Sequence, residues 1–329
     1  MAGRRFRKPC VILNPKAASG RALRRWPLLR PLFEESLGAT EALFTEAPGH
    51  AIDLSRDALR GGADLIVACG GDGTLSEVVN GYLSAGPDSA AAAALGLCPF
   101  GTGGDFRRSA GIPRRPREAI GAMASRQTRL VDACRLRLRG HSGSTVERFC
   151  INTASFGMGG EVATAAKRSF LSSVSGKGAF LWATGLSFLR YRAKQVQLKV
   201  GERPEQAVRI MQVALGNGTY QGGGMAICPK ARLDSGRMEI TVVEEVGLLT
   251  FLMSLRLLYA GTVYTHPKCH HFRARRVAAT SQTKVAIEVD GEAIGTLPLE
   301  AEVLPGAVKM AGLDIAATDR PNVSHSGGP

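Results

Sequence analysis

No apolar run in these 329 residues reaches the roughly 18 needed to cross a bilayer as a helix. The first stretch, MAGRRFRKPCVILNP, has neither the apolar core nor the small-residue cleavage site of a secretory leader. The seven cysteines are odd in number and scattered, with Cys10, Cys69, Cys98 and Cys150 inside strand-like runs. That pattern excludes a disulfide framework and reads as reduced thiols in a cytoplasmic protein. No RNA-binding aromatic motif, zinc finger or helix-turn-helix signature is present, so nucleic acid is not expected as a partner. The run HPKCHHF (266–272) matches no common zinc spacing. Acids are missing from the first thirty residues, which carry nine Lys or Arg.

What is present is an ordinary globular composition, 44% hydrophobic, of a length that suits one large domain or two medium ones. The net charge is +14. Beside the basic N-terminus, RRSAGIPRRPR (107–117) adds five arginines. Such patches attract polyanions, an anionic membrane surface or nucleotide phosphates among them.

The chain is organised around LIVACGGDGTLSEVVNGY (65–82). Leu65 to Cys69 is an uninterrupted apolar run of the kind buried on both faces of a parallel sheet. Gly70 and Gly71 end it, and after Thr74 the pattern turns helical, with Leu75, Val78, Val79 and Leu83 on one face. A buried strand that stops in a glycine turn at a helix start is where open α/β sheets bind ligands. Glycines let N–H groups approach phosphate oxygens, and Asp72 puts a carboxylate where Mg²⁺ on a nucleotide would need one.

Around this centre the pattern repeats. PCVILNP is a first buried strand, followed by the small-residue loop KAASGRA, a second phosphate-cradle candidate with Ser19 and Gly20. Pro27 and Pro31 are expected to delay or kink the helix that follows. TEAPGHAIDLSRDAL opens another helix, with His50 at its start as a structural cap. LGLCPFGTGGDF again ends a strand in glycines, Gly101, Gly103 and Gly104, with Thr102 and Asp105. Two such turns at neighbouring strand ends make one shared cleft. From about residue 134 strand-like runs separated by Gly, Asn and Asp dominate, which reads as an antiparallel sheet or sandwich. Two apolar helices, 176–192 and 247–261, interrupt it, as core packing or as lipid-facing walls. Asp290-Gly291-Glu292 breaks a late strand, and by itself reads as a hairpin turn.

GGDGT followed by Glu77 and Asn80 resembles the catalytic domain shared by diacylglycerol kinases, sphingosine kinases and their bacterial lipid-kinase relatives. NAD kinases carry a similar GGDGT. The NP-SG element, GTGxDF and DGE, in order over residues 8–315, favour the lipid kinases. Where the family has GTGND, this chain has Gly104 in place of the Asn. The resemblance implies an α/β fold of two domains: a three-layer α/β nucleotide-binding domain, 1–133, rejoined by 306–315, and a β-sandwich-like lipid-substrate domain, 134–305. The tail, 316–329, is expected to be disordered.

The implied activity is transfer of the ATP γ-phosphate to a lipid hydroxyl, of diacylglycerol or a related lipid alcohol, at a peripherally reached anionic membrane. A sphingoid-base kinase, an NAD kinase-like enzyme and a non-catalytic regulator on the same fold are the alternatives, and a homodimer is left open. Gly70, Gly71, Gly73 and Thr74 would form the phosphate turn, with Glu77 and Gly101 beside it. Asn14, Thr45 and Thr102 would line the ATP site. Asp72, Asp105 and Asp132 would organise Mg²⁺. The resemblance makes Asp290 the choice for general base, which the sequence alone does not separate from Asp72, with Glu292 near the metal or nucleotide. Asp234 marks a turn that holds a structural ion in some relatives, and none is expected here.

Overall fold

The run at Leu65 is β3 (Leu65–Gly70), a strand buried along its whole length. A computed structural model places it between β1 (Pro9–Leu13) and β4 (Ala94–Pro99), all three parallel. The structure describes residues 6–86, 92–101, 103–125, 128–168 and 191–314, with only the backbone at 166–168, 248, 249, 251 and 252. The expected helix at 176–192 lies almost wholly, and the expected tail wholly, outside them. β2 (Glu41–Phe44) forms one edge beside β1. At the other edge the end of β14 (Glu292–Ala311) runs parallel to β4, with Met310 beside Leu95.

Alternation along these strands builds three layers. Val11, Leu13, Leu65, Val67 and Cys69 face α1 (Ala17–Leu37) and α5 (Pro116–Ala124). Cys10, Ile12, Ile66 and Ala68 face α2 (His50–Arg60) and α3 (Asp72–Ser84). Leu75, Val78 and Val79 of α3 are buried in that second layer. The helix after the small-residue loop starts late. Ala18, Ser19 and Gly20 take left-handed φ values of 52°, 56° and 80°. It then runs through Pro27 and Pro31, which lie on its exposed side. Water can take the carbonyls those prolines leave unbonded, while Trp26, Leu29 and Phe33 hold the other side to the sheet.

The short α4 (Asp105–Ser109) leads through α5 to β5 (Thr128–Gly140) and β6 (Thr145–Cys150). The rest is antiparallel: β7 (Thr153–Gly157), β8 (Lys194–Val200), β9 (Gln206–Gly216), β10 (Met238–Glu244), β11 (Cys269–Ala274), β12 (Arg276–Thr280) and β13 (Ala286–Val289). The ladder β7–β13–β14–β12–β8–β9 returns to β7 and so closes into a ring. A second hydrophobic core, including Phe156, Val213, Ile240 and Ile287, fills this sandwich-like unit. α6 (Met158–Arg168) follows β7, and α7 (Leu248–Ala260) follows β10. No helix among the described residues is long and apolar enough to cross a membrane. β14 belongs to both units, because its first half pairs with β13 and β12 and its end with β4.

Candidate active site

Parallel strands put their C-terminal ends on one side, and four of them end here in polar or glycine turns. At the end of β1, Asn14 Nδ2 donates to Thr74 Oγ1 at 3.2 Å. At the end of β2, the Thr45 N–H donates to Leu13 O at 2.9 Å. The turns after β3 and β4 touch: a Cβ on Gly101 would stand 2.8 Å from Gly71 Cα, so the chains approach at a distance only glycine allows. Asn14, Gly70, Gly71, Gly73, Thr74 and Gly101 thus share one corner, with Ser19 and Gly20 on the left-handed loop after β1. Thr102 lies outside the described residues. Gly104 has φ 62°, a left-handed position that Gly or Asn fills most easily. Arg107 Nε stands 3.1 Å from where its Cβ would be, so the arginine covers the place of the missing amide.

The acids of the first unit divide into separate tasks. Asp72 leaves its own helix to bond the start of α4, accepting the Asp105 and Phe106 N–H groups at 3.1 and 3.2 Å. Asp105 pairs with Arg108 at 3.0 Å and accepts the Gly223 N–H at 2.8 Å. Burial pushes the Asp105 carboxyl up, the Gly223 bond opposes it, and the charge of Asp72 adds to the rise. Asp72 and Asp105 are therefore neighbours, and each carboxylate keeps lone pairs beyond the bonds it accepts. Asp132 does not join them. Its oxygens accept the Gly236 and Gly306 N–H groups at 2.6 and 2.8 Å and tie two distant turns together. Burial raises this carboxyl and those two bonds oppose the rise. Among the described residues no three His, Cys, Asp or Glu form a metal-ligand group. Two carboxylates fit a Mg²⁺ that is otherwise held by phosphates and water. Glu77 is likewise placed away from the expected role. It clamps the start of α2, accepting the Gly49 and Ala51 N–H groups at 2.8 and 3.2 Å. Asn80 bridges α3 to Phe149 of β6.

The late turn spreads three carboxylates in three directions. Glu292 faces the phosphate-turn corner, its Oε1 3.4 Å from where a Cβ on Gly73 would stand. Asp290 turns inward with a left-handed φ of 49°. It accepts the Ile151, Asn152 and Thr153 N–H groups at 3.0 to 3.2 Å, the Cys150 thiol at 3.2 Å and the Ser76 hydroxyl. Burial raises its carboxyl while these donors hold it down. Oδ1 takes three of these donors and Oδ2 takes the Ile151 N–H, so Asp290 anchors the β6–β7 turn. The general-base role expected for it would fall to a carboxylate already engaged by these donors.

Glu288, which sequence reasoning missed, accepts Ser155 Oγ at 2.8 Å, Gln221 Nε2, and the Gly291 N–H at 2.7 Å. Burial pushes its carboxyl up to about 8, the Ser155 and Gly291 bonds oppose, and Asp290 and Asp105 add. The available signal was a lone acid inside the otherwise apolar VAIEV.

Glu288 and Gly291 border a cavity of about 200 Å³ in the second unit. Its walls include Met158, Val162, Met211, Ile227, Val243 and Leu258, the last from α7, and Gln212 and Gln221 lie at the polar end. On the other side of the glycine corner, Gly101, Gly103 and Gly104 border a pocket of about 520 Å³ that also takes Arg21, Arg25, Arg107, Arg108, Arg114 and Arg115.

Residues 8–136 match the diacylglycerol kinase catalytic domain, and residues 152–312 match the YegS C-terminal NAD kinase beta sandwich-like domain. A "Probable lipid kinase YegS-like" of Xanthomonas euvesicatoria pv. vesicatoria is 30% identical over 302 residues, 91% of this chain and 94% of that one. A "Diacylglycerol kinase" of Staphylococcus saprophyticus subsp. saprophyticus is 28% identical, over 88% of this chain and 90% of that one. A solved diacylglycerol kinase structure from Bacillus anthracis str. Sterne has the same fold, with a TM-score of 0.69 and 22% identity, over 95% of this chain and 99% of that one.

Proposed function

The chain belongs to the bacterial lipid kinases built on the diacylglycerol kinase catalytic domain, and from that premise we propose that it transfers the γ-phosphate of ATP to the hydroxyl of a lipid alcohol such as diacylglycerol. One observation carries the reading. Within five residues, Glu288 and Gly291 border the apolar cavity while Glu292 lies against Gly73 of the phosphate turn. A hydroxyl at the polar mouth of that cavity is brought toward phosphates held at the glycine corner.

Phosphoryl transfer depends on positioning and on offsetting charge. The N–H groups around Gly71, Gly73 and Thr74 and the start of α3 favour phosphate oxygens. Asn14 and Thr74 fix the neighbouring strand end. Asp72 and Asp105 are the residues that would hold Mg²⁺, which when bound neutralises charge on the phosphates. Asp72 also sets the Gly103–Asp105 turn through its bonds to α4, so one carboxylate serves shape as well as charge. Glu292 stands against Gly73 of the phosphate turn.

The test is incubation of the purified protein with γ-labelled ATP, Mg²⁺ and a panel of dioleoylglycerol, sphingosine and NAD. The expected result is label in a lipid. Label in NAD alone would reverse the choice between the two kinase classes that share GGDGT. Stabilisation by ATP with no labelled product would make this a regulator on a kinase fold.

A further inference from the structure

We propose that Glu288 reads the head of the lipid acceptor by donating a hydrogen bond to it, and so selects a neutral lipid alcohol over one that carries an amine. This rests on the lipid-kinase reading of the same cleft. Glu288 is 1% exposed and stands at the polar end of the apolar cavity. Every described bond at its carboxyl has Glu288 as acceptor. Oε1 takes both Ser155 Oγ and Gln221 Nε2, and Oε2 takes only the Gly291 N–H. One lone-pair position on Oε2 is thus left over, beside a residue that borders the cavity.

The surroundings decide which form occupies that position. The charges that act most on Glu288 are Asp290 from its own turn and Asp105 from α4, both negative. β7 offers Ser155, and β6 the Cys150 thiol, which burial keeps protonated. Across the cavity stand His266 and Cys269. Burial lifts the Cys269 thiol to about 11. Burial pushes the Glu288 carboxyl up to about 8, which favours the acid at neutrality. Its O–H then has no described acceptor in the protein. A hydroxyl or ester oxygen of a glycerol-like head supplies one. An ammonium head offers only N–H donors on that side, and needs a carboxylate that burial next to two other acids opposes.

The test compares wild type, Glu288→Ala, Glu288→Gln and Ser155→Ala with ATP and Mg²⁺, on dioleoylglycerol and on sphingosine in neutral detergent micelles, from about pH 6.5 to about pH 9.5. Wild type is expected to prefer dioleoylglycerol, and its lipid KM to rise above about pH 8 while the KM for ATP holds. Glu288→Ala should raise the lipid KM by roughly tenfold or more, the size of a buried partner left unbonded. Glu288→Gln, whose amide still donates, should bring that KM back to within about threefold of wild type and abolish the alkaline rise. Ser155→Ala removes a bond that favours the carboxylate, so its alkaline rise should move to higher pH, and this variant carries the test if Glu288→Ala fails to fold. A preference for sphingosine that Glu288→Gln abolishes overturns the proposal, as does an unchanged lipid KM in Glu288→Ala or a Gln variant no better than Ala. Those outcomes leave the wild type active and the kinase reading standing. A wild type that labels neither lipid overturns that reading, and this proposal with it.

Discussion

Asp105, Asp132, Glu288 and Asp290 are all pushed toward the protonated form by burial. At Glu288 this becomes a statement about stability. Its folded value, about 8, lies above its ordinary 4.5. The contribution is therefore whole below about pH 4.5 and is lost as pH rises through about 8. Gln does not titrate, so the melting temperature of Glu288→Gln relative to wild type should climb from pH 5 to about pH 8 and level off above it. A difference that stays flat with pH would show that the carboxyl titrates normally. Asp290 poses the opposite question, because its bonds favour the charged form that burial opposes. Asp290→Asn puts an NH2 among the Ile151, Asn152 and Thr153 N–H groups and the Cys150 thiol, so one buried donor loses its acceptor. We expect a stability loss of about 1–3 kcal/mol, read as a lower urea midpoint. Turnover lost by about 10²–10⁴-fold at an unchanged midpoint would instead return the proton-accepting role to Asp290.

At the scale of elements, the close crossing of α2 and α3 carries the phosphate turn. Ser55 Oγ donates to Val78 O at 2.9 Å, and a Cβ on Gly81 would stand 2.2 Å from Ile52 O. A backbone oxygen cannot swing away as a side chain can, so Gly81→Ala should separate the helices and cost about 1–3 kcal/mol, visible in thermal melting. An unchanged Tm would mean that the crossing is slack. Glu77 is the second tie between these helices, and it shows why the site was only partly legible in the sequence. The strand–turn–helix units are written in local periods, and β1, β3, β4 and α3 could be read from them. The neighbouring glycine turns follow from parallel order. The destination of a side chain is not a local property. Glu77 and Asn80 sit beside the central motif yet bond α2 and β6. Asp132 bonds Gly236 and Gly306, far along the chain. Glu288 sits in a strand that reads as apolar, and its meaning comes from Ser155 and Gln221 on other elements.

At the scale of the molecule, the basic N-terminal stretch and the arginine run 107–117 are far apart in sequence but meet in space. Arg21 and Arg25 of α1 share a pocket with Arg107, Arg108, Arg114 and Arg115. Part of that charge is committed locally. Arg108 pairs with Asp105, Arg107 donates to Ile112 O, and Arg115 pairs with Glu118 at the surface. Arg114, Arg115 and Arg117 remain exposed. Each basic group near an anionic surface is worth about 1 kcal/mol, over a Debye length of about 8 Å at physiological salt. An enzyme whose acceptor is a lipid must meet a bilayer, and this face is the one charge would bring there. We therefore expect reversible binding to phosphatidylglycerol vesicles and weak binding to phosphatidylcholine vesicles, measured by co-sedimentation. The binding should fall away near 1 M salt, where the Debye length is about 3 Å. Replacing Arg114, Arg115 and Arg117 together by Ala should lower it while ATP still raises the melting temperature. The molecule also exposes Leu28 on α1 and Met253 and Tyr259 on α7, the helix that helps wall the apolar cavity. Apolar insertion through those side chains would leave binding equal on the two vesicle types and indifferent to salt, and that result would move the membrane contact from the arginines to the apolar side chains.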